Sequence, residues 1–345
     1  MKTDTGVTLR DVAEAAGVHV STVSRALNPD EPHRVNATTA ARVRAHALRL
    51  GYRPDAIARG LRRGKTDTVG VVVADLANPF LVDVMRGVEN VLEPRDFMPL
   101  IAETRDDPAN LRRALERLAD RRVDALITTA AMPTVADDLM SFAKDQAPVV
   151  LVSRSLAGSG LPTVYADEYL GGELVAGYLV GLGHRTLAQL RGPQELETFA
   201  HRGQAFAETA TRLGAEVIEF NPAAIRPTHE EGSRLMGFLL AQAAKLPTAI
   251  FAHNDPMALG ALDVLKRSGL RCPEDISIVG YNDNPYMAQI SPPLTTVRIH
   301  SYDFGSEAAK MCMRLLKDEA VEDILIAPEL VVRDSTARYS TPDRP

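Results

Sequence analysis

The sequence predicts a two-part molecule: a small all-α helix-turn-helix head followed by a two-lobed, doubly wound α/β body. Three observations carry that reading. Two short helical patterns meet at a glycine within residues 9–28, LRDVAEAAGVHVSTVSRALN. Beyond residue 66, apolar strand-like runs alternate with helical segments over about 280 residues, room for two domains of ordinary size. The charge divides at the same place. Of the 39 Lys and Arg residues, 12 fall in residues 1–65, against 6 of the 45 Asp and Glu. The head is therefore formally +6 and the rest −12, a split that the whole-chain value of −6 hides.

Within the head, Thr8 and Asp11 have capping-box spacing for a first helix, whose apolar face is Leu9, Val12, Ala13 and Ala16. Gly17 permits the backbone conformation of a tight turn. The pattern restarts at Val20, with Val23, Ala26 and Leu27 facing inward and Ser21, Thr22, Ser24, Arg25 and Asn28 facing out. A helix pair joined in this way is the helix-turn-helix arrangement, whose second helix lies in the DNA major groove. An ordinary antiparallel pair would not need short polar groups and an arginine on its outer face. A basic head on an acidic body also suits a chain whose head alone meets phosphates. Asn36 is placed to cap a third helix running to Leu50, with Val43, Ala47 and Leu50 inward and Gly51 ending it. The stretch GLRRGKT at 60–66 is not a phosphate-binding loop, because Arg59 stands where its first glycine must be.

In the body, strand-like runs lie at 69–74, 98–103, 125–129 and 149–153, then near 187–191, 215–220, 248–252 and 276–281. Helical stretches lie near 80–93, 108–121, 134–144, 199–213, 229–244 and 255–268. Such alternation predicts buried parallel strands in two lobes, with ligand expected at the carboxyl ends of the strands, in the cleft between them. Met1–Val7 is polar and no run of eighteen apolar residues occurs, so neither a signal segment nor a membrane span is expected. Cys272 and Cys312 stand alone, which fits structural thiols in a reducing cytoplasm without disulfide or metal. There is no G-x-S-x-G elbow, no H-E-x-x-H pair (His229 is followed by Glu230, Glu231, Gly232 and then Ser233) and no nucleotide-binding glycine fingerprint. No cofactor and no catalytic role are expected.

Residues 8–28 and VRAHALRLGYRPDAIARGL at 43–61 resemble the LacI/GalR family of bacterial repressors. So do NPF at 78–80, GLGH at 181–184, NDPMALGAL at 254–262, SIVGYND at 277–283 and PPLTT at 292–296, in the family's order along the whole chain. The resemblance implies a periplasmic-binding-protein-like body. It puts Val20, Ser21 and Arg25 at base-reading positions, and Arg25 suits guanine because its fork can bond O6 and N7 together. Thr22, Ser24 and Asn28 fall at phosphate-facing positions, and Thr8, Arg34, Asn36 and Arg59 complete the DNA-facing set. Residues 55–63 correspond to a hinge helix of about two turns, too short to stand alone in water. Leu61 is there the wedge that enters the minor groove. Two departures stand out. His19 replaces the serine usual before the recognition helix, a poorer cap by about 1 kcal/mol, and PDEPHR at 29–34 lengthens a loop. In the cleft the resemblance implies ligand contacts from Asp75, Asn78, Phe80, Thr198, Arg202, Phe220, Asn254, Asp255 and Asn282.

The expected organisation is a head at 1–54, a hinge and linker at 55–66, a first lobe from 67–184 plus 294–318, a second from 185–293 plus 319–336, and a tail at 337–345. The expected function is a dimeric repressor of carbohydrate-related genes, acting in the cytoplasm on the nucleoid and binding a palindromic DNA operator. A small ligand in the cleft controls it. The tail lacks the apolar heptads that a C-terminal coiled-coil tetramer needs. Arg202 with Asn254, Asn282 and nearby carboxylates offers the alternating donors and acceptors that a sugar or sugar acid requires. Asn282 in place of the more usual Asp leaves Arg202 less neutralised, which favours the acid. A purine would want two aromatic rings, and the aligned positions offer Phe80, with Phe220 a weaker alignment. A regulator controlled by a phosphocarrier protein, a purine-responsive repressor, and an enzyme or binding protein with a vestigial head are the rival readings.

Overall fold

The computed structural model describes residues 7–28, 34–52, 64–218, 222–242 and 245–339. It divides into two compact units at Thr66/Asp67. In the first unit, α1 (Leu9–Ala16), α2 (Val20–Ala26) and α3 (Ala37–Leu50) surround a small core. Each helix contributes one fully buried valine: Val12, Val23 and Val43. Burying such a side chain is worth about 1.5–3 kcal/mol, so this core has little to spare. The ends are fixed locally. Thr8 and Asp11 form the capping box, with the Thr8 amide donating to Asp11 Oδ2 at 2.7 Å. Gly17 turns the chain at φ +63°, and Asn36 Oδ1 accepts from the Thr39 amide at 2.8 Å. The hinge calls Arg59 and Leu61, the linker residues up to 63 and most of the 29–34 loop lie outside the described residues.

The second unit holds two six-stranded sheets. The first contains β1 (Thr68–Val73), β2 (Met98–Glu103), β3 (Ala125–Thr128), β4 (Val149–Val152), β5 (Thr163–Ala166) and β11 (Ile324–Ile326), in the order β11-β5-β4-β3-β1-β2 and all parallel. Helices α4 (Phe80–Leu92), α5 (Pro108–Asp120) and α6 (Ala136–Asp145) connect its first four strands. The second sheet contains β6 (Thr186–Leu190), β7 (Glu216–Val217), β8 (Ala249–Ala252), β9 (Ser277–Asn282), β10 (Thr295–Arg298) and β12 (Glu329–Val331). Its order is β12-β10-β9-β8-β6-β7, with only β12 antiparallel. Its helices are α7 (Glu168–Gly181), α8 (Glu197–Arg212), α9 (His229–Gln242) and α10 (Asp255–Arg267). Helix α11 (Ser301–Leu315) packs on α4, so it belongs with the first sheet. The central strands are apolar on both faces, as parallel strands covered by helices must be.

The lobe boundaries differ from the sequence reading at each crossing. Residues 168–181 were expected in the first lobe, but α7 lies against α8. At Gly172 even a Cβ would collide with the Arg202 carbonyl, which only glycine tolerates at so close a crossing. Residues 295–298 were also assigned to the first lobe, yet β10 pairs with β9 in the second sheet. Conversely 324–326 was given to the second lobe, and β11 extends the first sheet beside β5. The strands missed by pattern (163–166, 295–298, 324–326 and 329–331) are short, and several carry threonines or a charge among their apolar residues. Of the run 215–220, described as far as residue 218, Glu216–Val217 forms strand.

Candidate nucleic-acid interface and ligand cleft

The outer face of α2 carries exposed Ser21 and Arg25, with Thr22 and Ser24 half-buried beside them. Val20 also packs partly against the head core, so only part of its side chain faces outward. His19, expected to be a poor cap, does cap: its ring Nδ1 accepts from the Ser21 amide at 3.2 Å and lies 2.8 Å from Ser21 Oγ. An imidazole can replace serine here because its unprotonated nitrogen supplies the acceptor that the orphan amide needs. The Thr8 hydroxyl is engaged with Asp11 and the Asn36 side-chain oxygen with Thr39, so both hold helix ends first. Bonds from the Thr8 amide and hydroxyl hold the Asp11 carboxyl below the usual range. Arg34 is exposed at the entry to α3.

Between the lobes lies an inner cavity, partly open to solvent, with about 60 Å³ of space accessible to a water-sized sphere. Seven of the nine sequence-derived ligand positions line it: Asp75, Asn78, Phe80, Thr198, Arg202, Asn254 and Asn282. Asp75 follows β1, and its Oδ1 accepts from the Ala77 amide, while Asn78 Oδ1 accepts from the Phe80 amide, shaping the turn into α4. Phe80 stands edge-on to Phe304, ring centres 6.0 Å apart, with one side left to the cavity. Sequence reasoning missed Thr129, Ser153, Arg154 and Phe199, which also line it. The first three follow β3 and β4, so applying the strand-end rule to every strand would have found them. Two cavity residues, Ser153 after β4 and Asn282 ending β9, have left-handed backbones, φ +67° and +111°. Strain of this kind gathers at binding sites. The Thr198 hydroxyl donates to the Ser153 carbonyl at 3.2 Å and the Ser155 hydroxyl to Glu197 Oε2 at 2.6 Å, joining the lobes across the cleft.

Arg202 is more constrained than the sequence implied. It is 2 % exposed, its Nε donates to Glu168 Oε2 at 2.9 Å, its Nη2 lies 2.8 Å from the same oxygen in an ion pair, and its Nη1 donates to the His253 carbonyl at 2.5 Å. The guanidinium lies 3.7 Å above the centre of the Tyr281 ring. Burial raises the Glu168 carboxyl above its ordinary range, and the Arg202 guanidinium beside it opposes the rise. Burial, with Arg202 and Arg191 nearby, keeps His253 neutral, its Nδ1 accepting from the Gly192 amide and its Nε2 facing Gln189 Oε1. The expectation that Asn282 leaves Arg202 unneutralised is therefore corrected: Glu168, on a helix assigned to the other lobe, neutralises it. Glu168 escaped notice because an acid in the first turn of a helix needs no other explanation. Asp167 Oδ1 already caps that turn, accepting from the Leu170 amide at 2.9 Å, and that was the available clue.

Two other expectations change. Asn254 lines the cavity, but its Oδ1 caps α10 through the Met257 amide and its Nδ2 closes onto the Pro227 carbonyl, so its polar atoms serve the wall. Asp255 does not line the cavity. It is fully buried, accepting from the Asn284 amide and the Thr296 hydroxyl, each at 2.6 Å. Burial pushes its carboxyl up to about 7 against those bonds. Asp283 is held by Arg298 and Arg333. Phe220 lies outside the described residues. A second arginine at the cavity, Arg154, is paired with Asp106 at 2.5 Å.

Comparison with known proteins finds matches to both units of the chain. Residues 8–55 match the model for bacterial regulatory proteins of the lacI family, and 176–336 match a periplasmic binding protein-like domain. The chain is 31% identical over 338 residues to the HTH-type transcriptional repressor CytR of Escherichia coli K12, covering 97% of this chain and 98% of that protein. It is 29% identical over 333 residues to the repressor PurR of Histophilus somni, covering 95% and 98%. Among solved structures, the Lac repressor dimer bound to operator and the anti-inducer ONPF superposes with a TM-score of 0.86 at 27% identity, over 96% of this chain and 99% of that one. A complex of the transcriptional regulator CelR with cellobiose does so at 0.71 and 30% identity, over 95% and 99%. The chain belongs to the lacI family of bacterial regulatory proteins, and it is a DNA-binding transcriptional regulator rather than an enzyme.

Proposed function

We propose that the protein is a dimeric, cytoplasmic repressor of carbohydrate-related genes whose affinity for a palindromic operator is set by a sugar bound between the lobes. Two copies are needed because one recognition helix reads one half-site. In this reading Val20, Ser21 and Arg25 read bases, Thr22, Ser24 and Asn28 meet phosphates, and Leu61 wedges the minor groove. The observation that carries the ligand class is the lining of the inner cavity. Amide and hydroxyl groups of Asn78, Thr129, Thr198 and Asn282 face apolar surface from Phe80, Phe199 and Ile299. Polyols need that mixture: donors and acceptors for hydroxyls, and a flat ring for the C–H face. The cellobiose bound by CelR is consistent with it.

A second reading, a nucleobase or nucleoside, gains from Phe199, which supplies the second ring that Phe220 was expected to offer. A thermal-shift panel of neutral sugars, sugar acids and nucleobases separates the two. A ligand at 100 times its Kd stabilises the fold by about 2.7 kcal/mol. Stabilisation by a sugar is expected, and stabilisation by nucleobases alone would replace this reading with the second.

A further inference from the structure

We infer that Glu168 is a specificity-determining residue that makes the cleft select neutral ligands over their acid counterparts. The inference rests on the sugar reading above and deepens it. Arg202 is the arginine at the floor of the cavity, yet its Nε is shared by Glu168 and the Thr198 carbonyl, one N–H of Nη1 goes to the His253 carbonyl, and Nη2 lies in the ion pair with Glu168. One N–H on each of Nη1 and Nη2 remains. These can donate to a hydroxyl, while the positive charge that would draw a carboxylate is already cancelled by an anion 2.8 Å away. The second arginine, Arg154, is cancelled in the same way by Asp106. Among the described residues, the remaining charged group lining the inner cavity is Asp75, an acidic side chain. An acid ligand thus meets two neutralised arginines and one like charge.

A buried ion pair is a weak source of stability, because removing two charges from water costs about as much as their attraction returns. Glu168 and Arg202 are 7 % and 2 % exposed. Their position at the ligand floor gives the pair a role that stability does not: it fixes the arginine fork over the Tyr281 ring and sets the sign of the field that the ligand feels.

Calorimetric titration of the full-length protein with matched pairs tests this: cellobiose and cellobionate, D-glucose and D-gluconate, D-ribose and D-ribonate. In the wild-type protein the neutral member of the binding pair should be at least about tenfold tighter. In Glu168→Gln, which keeps shape and an acceptor for Arg202, the preference should shrink by about tenfold or reverse, whereas Glu168→Asp should keep it. A loss of packing would lower both members together and leave their ratio alone. A wild-type preference for the acid, or a ratio that Glu168→Gln leaves unchanged, overturns the role of Glu168 while the sugar reading stands. The wild-type arm decides the matter even if the variant does not fold. Failure of every pair to bind the wild-type protein overturns the sugar reading itself, and the inference with it.

Discussion

Arg25 and Arg202 are both arginines on helices facing a binding site, and they obey different rules. Arg25 stands exposed in the last turn of α2, where no hydrogen bond among the described residues takes its fork. Arg202 is buried in α8, shared among Glu168, Thr198 and His253, and stacked on Tyr281. The first can be read from local pattern, since an exposed polar side chain on a recognition helix has its chemistry still to spend. The second cannot, because its chemistry depends on residues 34 and 51 positions away that the fold brings to it.

The contrast breaks most visibly if each arginine is removed. Arg202→Ala leaves Glu168 buried without its partner, and unfolding should be easier by about 3–5 kcal/mol, seen as a large fall in Tm with or without ligand. That loss of stability makes Arg202→Ala a poor probe of ligand contact alone. A fall of less than 1 kcal/mol would show that Glu168 is already protonated or solvated.

A second buried acid sharpens the same point. Asp255 has a folded-state value of about 7, above its unfolded value of about 3.9. The folded state therefore holds the proton more tightly, and stability falls as pH rises from about 4 to about 7, then levels off. The slope from one such group reaches at most about 1.4 kcal/mol per pH unit. Asp255→Asn should flatten the curve in that window, measured by denaturant unfolding at each pH. An unchanged slope would place the titration elsewhere.

Arg25→Ala should leave Tm unchanged and weaken specific operator binding by about 1–3 kcal/mol. An operator-library selection should show relaxed preference at one position in each half-site, with non-specific binding little altered. Unchanged preference everywhere would remove Arg25 from base reading. The smallest effect belongs to the cap: His19→Ala should cost the head about 1 kcal/mol, and His19→Ser almost nothing. A neutral His19→Ala would mean that the imidazole cap contributes no stability.

The legibility of the two regions follows from the same physics. The head was almost wholly readable, because capping boxes, a left-handed glycine and a 3.6-residue apolar period are local. Thr8, Gly17, Asn36 and Gly51 do what their neighbours dictate. His19 differed because capping tables rank residue types, and an unprotonated ring nitrogen is geometrically good enough. In the body, strands buried on both faces were evident, while short strands such as Thr295–Arg298 were not, and the lobe crossings moved with them. Seven of the nine cleft positions reach the cavity, since a position on a strand end is inherited with the fold. What could not be read was which polar atoms the protein itself consumes. Asn254 closes a loop, Asp255 ties β10 to the segment after β9, and Glu168 takes the charge of Arg202.

The claim that joins the two regions is that occupancy of the cleft changes operator affinity. It is tested most directly by measuring operator Kd for the full-length protein, on DNA obtained by selection, with and without a saturating neutral sugar already known from calorimetry to bind. A coupling of about 1–3 kcal/mol, a change in Kd of about 5- to 150-fold, is expected. The sugar should change Kd by the same factor that operator changes sugar affinity. A sugar that fills the cleft and leaves operator Kd unchanged would contradict the account.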